Sequence, residues 1–330
     1  MRLVTFQKAG GPQKAGAFLD DNNRVVDLAA AGQAAFGGDP HLASILAIIE
    51  GGDAALDKAY DAVKKAPASA ILNRRDVRLL APIQPPPQIR DCLCFELHLK
   101  QAFAAARKLQ AMQSADPAKA MAEIEKTPAP VPAVFYQQPL YYKANRFAVI
   151  GTDDDVIWPS YSKFLDFELE FGVYIKKKAK NVSREKARDY IFGYTIFNDM
   201  SARDAQVAEM EGRLGPCKGK DFDTGNPMGP CLVTADELTD PYKLTMIARV
   251  NGEEWGRGNS GTMHWKFEDL IAYISRSETL YPGEFLGSGT VGNGCGLEHM
   301  RFIKPGDVIE LEVEGIGTLR NRVVQPQGAT

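Results

Sequence analysis

The stretch DFELEFGVYI, residues 166–175, combines an apolar pattern with an acidic one. Read as a β-strand, it places five apolar side chains on one face, namely Phe167, Leu169, Phe171, Val173 and Ile175. The opposite face then carries Asp166, Glu168 and Glu170. Carboxylates on alternate residues lie about 6.5–7 Å apart at the backbone, close enough to converge on one ion, and without a cation they repel one another. The pattern therefore predicts either a solvated acidic face or a cation site.

The composition is that of a globular protein with a substantial core, because 45% of the 330 residues are hydrophobic and 25% are charged. A net charge of −3 gives no reason to expect nucleic-acid binding. No apolar run approaches the roughly 20 residues that span a bilayer, and the N-terminus does not read as a secretory signal. The five cysteines do not form a disulfide pattern and are expected to be reduced thiols. We therefore predict a cytoplasmic protein without a membrane partner.

A cluster of prolines suggests a boundary between two domains. The run Pro82, Pro85, Pro86, Pro87 is typical of a stiff extended connector. We predict a small N-terminal α+β domain over 1–80, a proline-rich linker over 81–87 and a main domain over 88–330. Strands are expected at 3–6, 16–19 and 25–28 in the first domain, followed by helices at about 41–50 and 53–65.

Beyond the linker, the pattern favours a β-rich fold. A helical segment over 99–124, interrupted near Asp116-Pro117, precedes many short strand-like runs separated by glycine-rich turns. Helices are expected again at 183–190, where Ser183 is a candidate N-cap, and at 265–275. The fold class is therefore α+β and β-rich, with a rolled or sandwiched main domain.

Further carboxylates extend the acidic pair. Hard dications such as Mg²⁺ or Ca²⁺ bind oxygen ligands, and Asp199 lies where an apolar strand breaks into a polar turn. Asp91 is a fourth candidate ligand, and His98 follows it by seven residues. A metal-assisted hydrolase needs a base whose pKa is close to neutral near the ion, a role that suits histidine. On the pattern alone, with Leu97 and Leu99 beside it, a structural histidine in the core or on a helix surface is the favoured interpretation of His98.

Several sequence blocks together resemble the fumarylacetoacetate hydrolase family. They are Asp91 and His98 after the proline run, ELE in 168–170, NDMSARDAQ (198–206), GPCKGKDFDTGNPMGPCLVT (215–234), FLGSGTVGNGCGLE (285–298) and PGDVIELEVEGIGTLRN (305–321). The resemblance spans roughly 88–325 and implies the mixed β-roll or barrel catalytic domain of that family, usually assembled as a homodimer.

The resemblance also implies roles for individual residues. Asp91, Glu168, Glu170 and Asp199 match the metal ligands, with Mg²⁺ expected and Ca²⁺ or Mn²⁺ as alternatives. His98 matches the general base, Glu298 the glutamate that orients it, and Lys220 a lysine that stabilises oxyanion charge. A further set of residues matches the substrate contacts of the family, namely Arg107, Tyr142 (or its neighbour Tyr141), Arg203, Gln206 and Thr290. Thr224 matches a residue whose hydroxyl lies near the metal. Leu93 and Met210 replace tyrosines of the animal enzyme, which disfavours fumarylacetoacetate itself as the substrate.

Three functions fit these residues. The first is a metal-dependent hydrolase that cleaves a carbon–carbon bond in a β-diketo acid, such as an acylpyruvate, in aromatic or sugar-acid catabolism. The second is an isomerase, hydratase or decarboxylase that uses the same metal-bound enolate. The combination of Asp91, His98 and Glu298 favours the first of these over the second. The third is a metal-binding fold without turnover, which the combination of base, orienting acid and lysine disfavours.

Overall fold

A computed structural model describes residues 1–19, 22–112, 114–126 and 130–326. The described strands, numbered in chain order, are β1 (Arg2–Gln7), β2 (Gln13–Leu19), β3 (Arg24–Asp27), β4 (Ile71–Asn73), β5 (Arg78–Leu80), β6 (Ile89–Cys92), β7 (Tyr141–Lys143), β8 (Val149–Ile150), β9 (Asp155–Ile157), β10 (Leu165–Asp166), β11 (Leu169–Ile175), β12 (Ile191–Asn198), β13 (Ser201–Ala202), β14 (Asn226–Thr234), β15 (Thr245–Val250), β16 (Glu253–Asn259), β17 (Phe285–Gly287), β18 (Val308–Val313) and β19 (Gly317–Val324).

The α-helices lie mostly in the first two thirds of the chain. They are α1 (Leu28–Phe36), α2 (Ile45–Glu50), α3 (Gly52–Lys64), α4 (Glu96–Met112), α5 (Pro117–Lys126), α6 (Val134–Gln137), α7 (Arg184–Ala187), α8 (Arg203–Glu211), α9 (Cys217–Lys220) and α10 (Phe267–Ile274). The predicted interruption of the long helix near Asp116-Pro117 is confirmed by the gap between α4 and α5. The predicted cap at Ser183 is wrong in one respect, because its side chain makes no capping hydrogen bond to α7.

One large mixed sheet organises the molecule. Its main path runs in the order β4-β3-β2-β1-β14-β12-β11-β17-β6-β7, while β5 pairs with β1 and β8 pairs with β14. A five-stranded sheet has the order β16-β15-β18-β19-β9, and β10 pairs with β13 alone. The described strands form open sheets and no closed barrel. The prediction of a β-rich α+β fold is confirmed, and of the two shapes that the resemblance allowed, the barrel is not formed.

The proline-rich segment does not interrupt this sheet. Strand β1 from the N-terminal part pairs with β14, Arg2 lying opposite Val233. The helices α1, α2 and α3 bury their apolar residues in a core that also includes residues of β12, β14 and β17. The two-domain division at 81–87 stays a prediction, and the two sides share a sheet and a core.

The acidic stretch 166–175 is not one continuous strand. Asp166 ends β10, β11 begins at Leu169, and Glu168 between them forms an isolated bridge with Cys295. Every residue of β11 is buried, because β12 and β17 pair with its two edges and side chains packed on the sheet cover its faces. The acidic face is therefore buried rather than solvated, and the break allows Asp166 to have surroundings different from those of Glu170.

No helix in the described ranges is long and apolar enough to cross a membrane. All five cysteines are free thiols, and Cys217 is the exposed one.

Candidate active site

Three carboxylates from neighbouring strands meet in the interior. Asp91 lies on β6 and Glu170 on β11, on either side of β17, while Asp199 follows the end of the adjacent β12. Each offers an oxygen within 4.8 Å of the other two, and all three side chains are buried. The strand order, rather than proximity along the chain, therefore creates this acidic cluster.

Glu168, the fourth predicted ligand, lines the same cavity but is already paired with protein cations. Its Oε1 accepts from Arg203 at 2.7 Å and its Oε2 from Lys220 at 2.6 Å. The Lys220 ammonium also donates to Asp199 Oδ2 at 2.5 Å, so it bridges Glu168 to the cluster. The cavity has a volume of about 200 Å³ and is lined by all four predicted ligands.

Burial dominates the electrostatics of the cluster. It raises the pKa of Glu170 well above its usual value, and the neighbouring Asp91 charge raises it further. Burial also raises the pKa of Asp199 to about 8, although Lys220 opposes the shift. For Glu168, burial would raise the pKa, but Lys220 and Arg203 outweigh it and hold the pKa well below the usual range. The negative charge of Glu168 is thus compensated by Lys220 and Arg203. The cluster of Asp91, Glu170 and Asp199 lacks enough positive charge nearby to compensate its own.

The cluster suits a hard dication. Among the described groups, Glu170 Oε2 and Asp199 Oδ1 are buried without any hydrogen-bond partner, which is costly for carboxylate oxygens. A Cβ added at Gly287 would lie 2.4 Å from Asp91 Oδ1 and 3.2 Å from Glu170 Oε2, so only glycine leaves room for these oxygens. Carboxylate oxygens are the preferred ligands of Mg²⁺, Ca²⁺ and Mn²⁺. The residues present therefore fit a divalent metal ion, and Asp91, Glu170 and Asp199 are the residues that would hold it.

A histidine–glutamate pair borders the same cavity. His98, on the first turn of α4, is buried and lines the cavity, and its Nδ1 lies 2.9 Å from Glu298 Oε1. Glu298 Oε2 accepts from the backbone N–H of Cys295 at 3.0 Å, which fixes the orientation of the carboxylate. When Nδ1 donates to Glu298, Nε2 is the nitrogen left to exchange a proton with a ligand. The arrangement supports the pair as an oriented acid–base group.

Asp166 has a different role from the other two acidic residues of its stretch. Its Oδ2 accepts from Arg203 Nε at 2.9 Å and Nη2 at 2.6 Å. Its two oxygens also accept from the backbone N–H groups of Gly296 and Leu297, just before Glu298. Sequence reasoning placed Asp166 on the acidic face without a role, because its partners come from distant parts of the chain.

The remaining predicted residues are divided between the cavity and the regions around it. Tyr142 lines the cavity and donates to Asp199 Oδ2 at 2.6 Å, and Thr290 lines it 3.5 Å from Glu170 Oε1. Gln206 also lines it and accepts from Arg203 at 2.9 Å. Arg107 and Thr224 are not among the lining residues. Arg107 is half-buried on α4, and the Thr224 hydroxyl accepts from the backbone of Ile157 at 2.8 Å. The predicted roles of these two residues stay predictions.

Two features of the site had no clear signal in the sequence, namely a contact between Gln101 and Asn293 and the position of Leu140. Gln101, one turn after His98 on α4, donates to Asn293 Oδ1 at 2.7 Å and accepts from the Asn293 N–H at 3.2 Å. This double contact ties α4 to the loop that carries Thr290 and Glu298. Leu140 lines the cavity from the turn before β7.

Comparison with known proteins gives consistent matches. The model of the fumarylacetoacetate hydrolase C-terminal region matches residues 107–324. The chain is 34% identical to a mitochondrial oxaloacetate tautomerase of Xenopus laevis over 327 residues, covering 98% of this chain and 90% of that protein. A solved fumarylacetoacetate hydrolase from Exiguobacterium antarcticum has the same fold, with a TM-score of 0.71 and 24% identity over 99% of this chain and 100% of that one. A 2-hydroxyhepta-2,4-diene-1,7-dioate isomerase from Mycobacterium marinum aligns with a TM-score of 0.67 and 25% identity over 100% of both chains.

Proposed function

This chain belongs to the fumarylacetoacetate hydrolase family of enzymes, and we propose that it catalyses keto–enol tautomerisation of a 2-oxo acid that carries a second carbonyl group at carbon 4. One observation supports this proposal above the others. An oriented histidine and a carboxylate cluster suited to a dication line the same small cavity, with a buried lysine between Glu168 and Asp199.

Each side of the cavity has a distinct task in this reaction. A divalent cation held by Asp91, Glu170 and Asp199 would supply Lewis acidity that stabilises the enolate oxygens of the substrate. His98 removes a proton from carbon 3 through Nε2, and Glu298 stabilises the imidazolium through Nδ1. The Lys220 ammonium adds positive charge beside the developing enolate. Return of the proton to oxygen completes the interconversion.

Similarity supports tautomerisation as the first candidate, since the relative from Xenopus laevis that matches 98% of this chain is named an oxaloacetate tautomerase. Hydrolysis of the carbon–carbon bond is the second candidate. The Glu298 carboxylate beside His98 Nδ1 favours hydrolysis, because an imidazole oriented by a carboxylate is also a suitable base for activating water. Water would attack carbon 4, the bond between carbons 3 and 4 would break, and a carboxylic acid and pyruvate would leave. A homodimer, a cytoplasmic location and a place in aromatic or sugar-acid catabolism stay predictions.

The two candidates differ in products. Purified enzyme is mixed with acetylpyruvate or oxaloacetate, with Mg²⁺ or with EDTA, and loss of enol absorbance is followed. A tautomerase exchanges the carbon 3 hydrogens with deuterated water and leaves the carbon chain intact. From acetylpyruvate, a hydrolase yields acetate and pyruvate, with ¹⁸O from labelled water in the acetate.

Substitution of the histidine tests both candidates at once. His98→Ala should lower kcat by about 10²–10⁴-fold, the usual contribution of a positioned general base. His41→Ala is the matched control, because His41 is an exposed histidine on the N-terminal part of the chain, and it should keep the wild-type rate. A His98→Ala enzyme with full activity towards both acids would refute the proposal.

A further inference from the structure

The acid–base pair belongs to a second group of side chains that can bind a metal ion. One ligand atom each of His98, Cys295 and Glu298 lies within 4.8 Å of the other two. All three side chains are at least nine-tenths buried. A nitrogen, a sulfur and an oxygen donor therefore meet at a place that is separate from the carboxylate cluster of the same cavity.

Two parts of the fold hold these three groups in place. Cys295 and Glu298 are three residues apart on one turn, and the Cys295 N–H donates to Glu298 Oε2 at 3.0 Å. Asp166 fixes the same turn, because it accepts from the N–H groups of the two residues between them. His98 comes from the first turn of α4, and its Nδ1 lies 2.9 Å from Glu298 Oε1. Since the donors are already positioned, an ion that binds them has little ordering to impose.

The Cys295 thiol has no hydrogen-bond partner among the residues that the structure describes, whereas the sulfurs of Cys217 and Cys231 each donate to a backbone carbonyl. Packing against Ala105 and Leu109 accounts for its burial. Burial also raises the pKa of this thiol, so it keeps its proton until a metal ion displaces it. The unpartnered sulfur, held close to a histidine nitrogen and a carboxylate oxygen, is therefore available as a third ligand.

This donor set favours a softer ion than the carboxylate cluster does. Imidazole and thiolate ligands favour Zn²⁺, whereas carboxylate oxygens favour Mg²⁺, Ca²⁺ and Mn²⁺. Tetrahedral zinc, with bonds of about 2.0–2.3 Å, holds its ligand atoms about 3.4–3.6 Å apart. The three donors, with one pair at 2.9 Å and every pair within 4.8 Å, reach this spacing by small side-chain movements. His98 lines the cavity, so an ion can enter from there and keep water as its fourth ligand.

We propose that His98, Cys295 and Glu298 form a site for Zn²⁺, and that zinc bound there inhibits the enzyme reversibly. The inhibition rests on the proposed function, in which His98 is the base. A neutral imidazole has one nitrogen with a free lone pair, and the other nitrogen carries the proton. Once zinc occupies that lone pair, His98 can no longer accept a proton from the substrate. The carboxylate cluster has different ligands and can keep its own ion while the base is blocked.

Cobalt absorption tests the site without any turnover. Co²⁺ replaces Zn²⁺ in tetrahedral sites, and a cysteine ligand then gives an intense thiolate-to-cobalt charge-transfer band in the near ultraviolet. With excess Mg²⁺ present to occupy the carboxylates, the wild-type protein should develop this band on titration with Co²⁺. Cys295→Ala and Cys295→Ser, each checked for folding by circular dichroism, should lose the band. Cys217→Ala is the matched control, because it removes the exposed thiol, and it should keep the band. A wild-type protein without the band, a band that persists in the Cys295 variants, or one that disappears with Cys217→Ala would overturn the proposal.

Inhibition by zinc tests the consequence for catalysis. In excess Mg²⁺, the Zn²⁺ concentration that halves the rate should be at least about tenfold higher for Cys295→Ala than for the wild type, each compared with its own zinc-free rate. Loss of a group that only supports a metal ligand already costs about 10–100-fold in affinity, so loss of a ligand should cost no less. Cys217→Ala should be inhibited like the wild type, and the zinc-selective chelator TPEN should restore the wild-type rate with Mg²⁺ still present. Equal inhibition of the wild type and Cys295→Ala, relieved by more Mg²⁺, would place zinc at the carboxylates and contradict the proposal.

The cobalt band separates failure of the zinc site from failure of the proposed function, because it does not depend on turnover. A band that requires Cys295, in a protein that converts neither acetylpyruvate nor oxaloacetate, keeps the zinc site and refutes the proposed function. Conversion of either acid by a protein that gives no such band keeps the proposed function and refutes the zinc site.

Discussion

Replacement of Asp166 by asparagine should be among the most destabilising isosteric changes in the protein. Asp166 is completely buried, and its pair with Arg203 consists of two hydrogen bonds at 2.9 and 2.6 Å. Three backbone N–H groups, those of Phe167, Gly296 and Leu297, also donate to it at 2.8–2.9 Å. Asparagine keeps the shape but removes the charge and turns one acceptor into a donor that faces other donors.

The size of the stability loss in Asp166→Asn depends on the neighbours that remain around Arg203. Loss of one partner from a buried ion pair costs about 3–5 kcal/mol, because the other charge stays buried and uncompensated. Arg203 keeps its bond to Glu168 at 2.7 Å, so we expect a loss near the lower limit, about 3 kcal/mol in the free energy of unfolding. The backbone N–H groups of Gly296 and Leu297, in the turn before Glu298, also lose an acceptor. Because Glu298 orients His98, kcat should fall as well.

Urea unfolding at pH 7 measures the change. Asp153→Asn is the matched control, because Asp153 is exposed, forms surface pairs with Arg74 and Arg320 and should cost at most about 1 kcal/mol. The double variant Asp166→Asn with Arg203→Met should be less destabilised than the sum of the two single variants, since it no longer leaves one charge facing its lost partner. A loss below about 1 kcal/mol for Asp166→Asn would refute the reasoning.

Three further predictions concern the metal site and the surface. Mg²⁺ at a hundredfold excess over its Kd should stabilise the wild-type protein by about 2.7 kcal/mol, and Glu170→Gln should lose most of this gain in calorimetry with and without EDTA. Gly287→Ala should cost about 1–3 kcal/mol and weaken Mg²⁺ binding in isothermal titration, because its Cβ would lie 2.4 Å from Asp91 Oδ1; unchanged binding would show that the oxygens can move aside. The hydrogen bond from Lys58 lowers the pKa of Asp39 to about 2, so its contribution to stability is complete above about pH 4 and is lost as the pH falls through 2. Lys58→Met should move the Asp39 carboxyl titration to higher pH by NMR, and an unmoved titration would contradict this assignment.

Much of the fold and part of the site could be predicted from the sequence. The strands β1, β2 and β3 and the helices α3 and α10 follow from apolar periodicity, which is a local property. The resemblance implied a site that includes Asp91, Glu170 and Asp199, and in the structure their oxygens lie within 4.8 Å of one another, while His98 lies beside Glu298. It did not show that Glu168 is paired with Lys220 and Arg203, since such pairing depends on where two cations from other elements lie.

The acidic stretch shows the limit of local reasoning most directly. Alternation indicated one strand with an acidic face, and the structure instead contains a break between Asp166 and Leu169. Across this break, Asp166 binds Arg203 and the turn before Glu298, while Glu170 lines the cavity. The residues look equivalent in the sequence because their spacing is regular, but different neighbours make them different in charge and role.

The sequence by itself indicated most of the strands and helices, and it determined which side chains have the chemistry for a hard metal ion and a proton transfer. The tertiary structure alone decided which of those side chains meet. Its strand order brings Asp91 beside Glu170 and Asp199, and packing removes them from water. Both effects depend on contacts between distant parts of the chain, because the interaction of buried charges depends on their separation in space and on the exclusion of water.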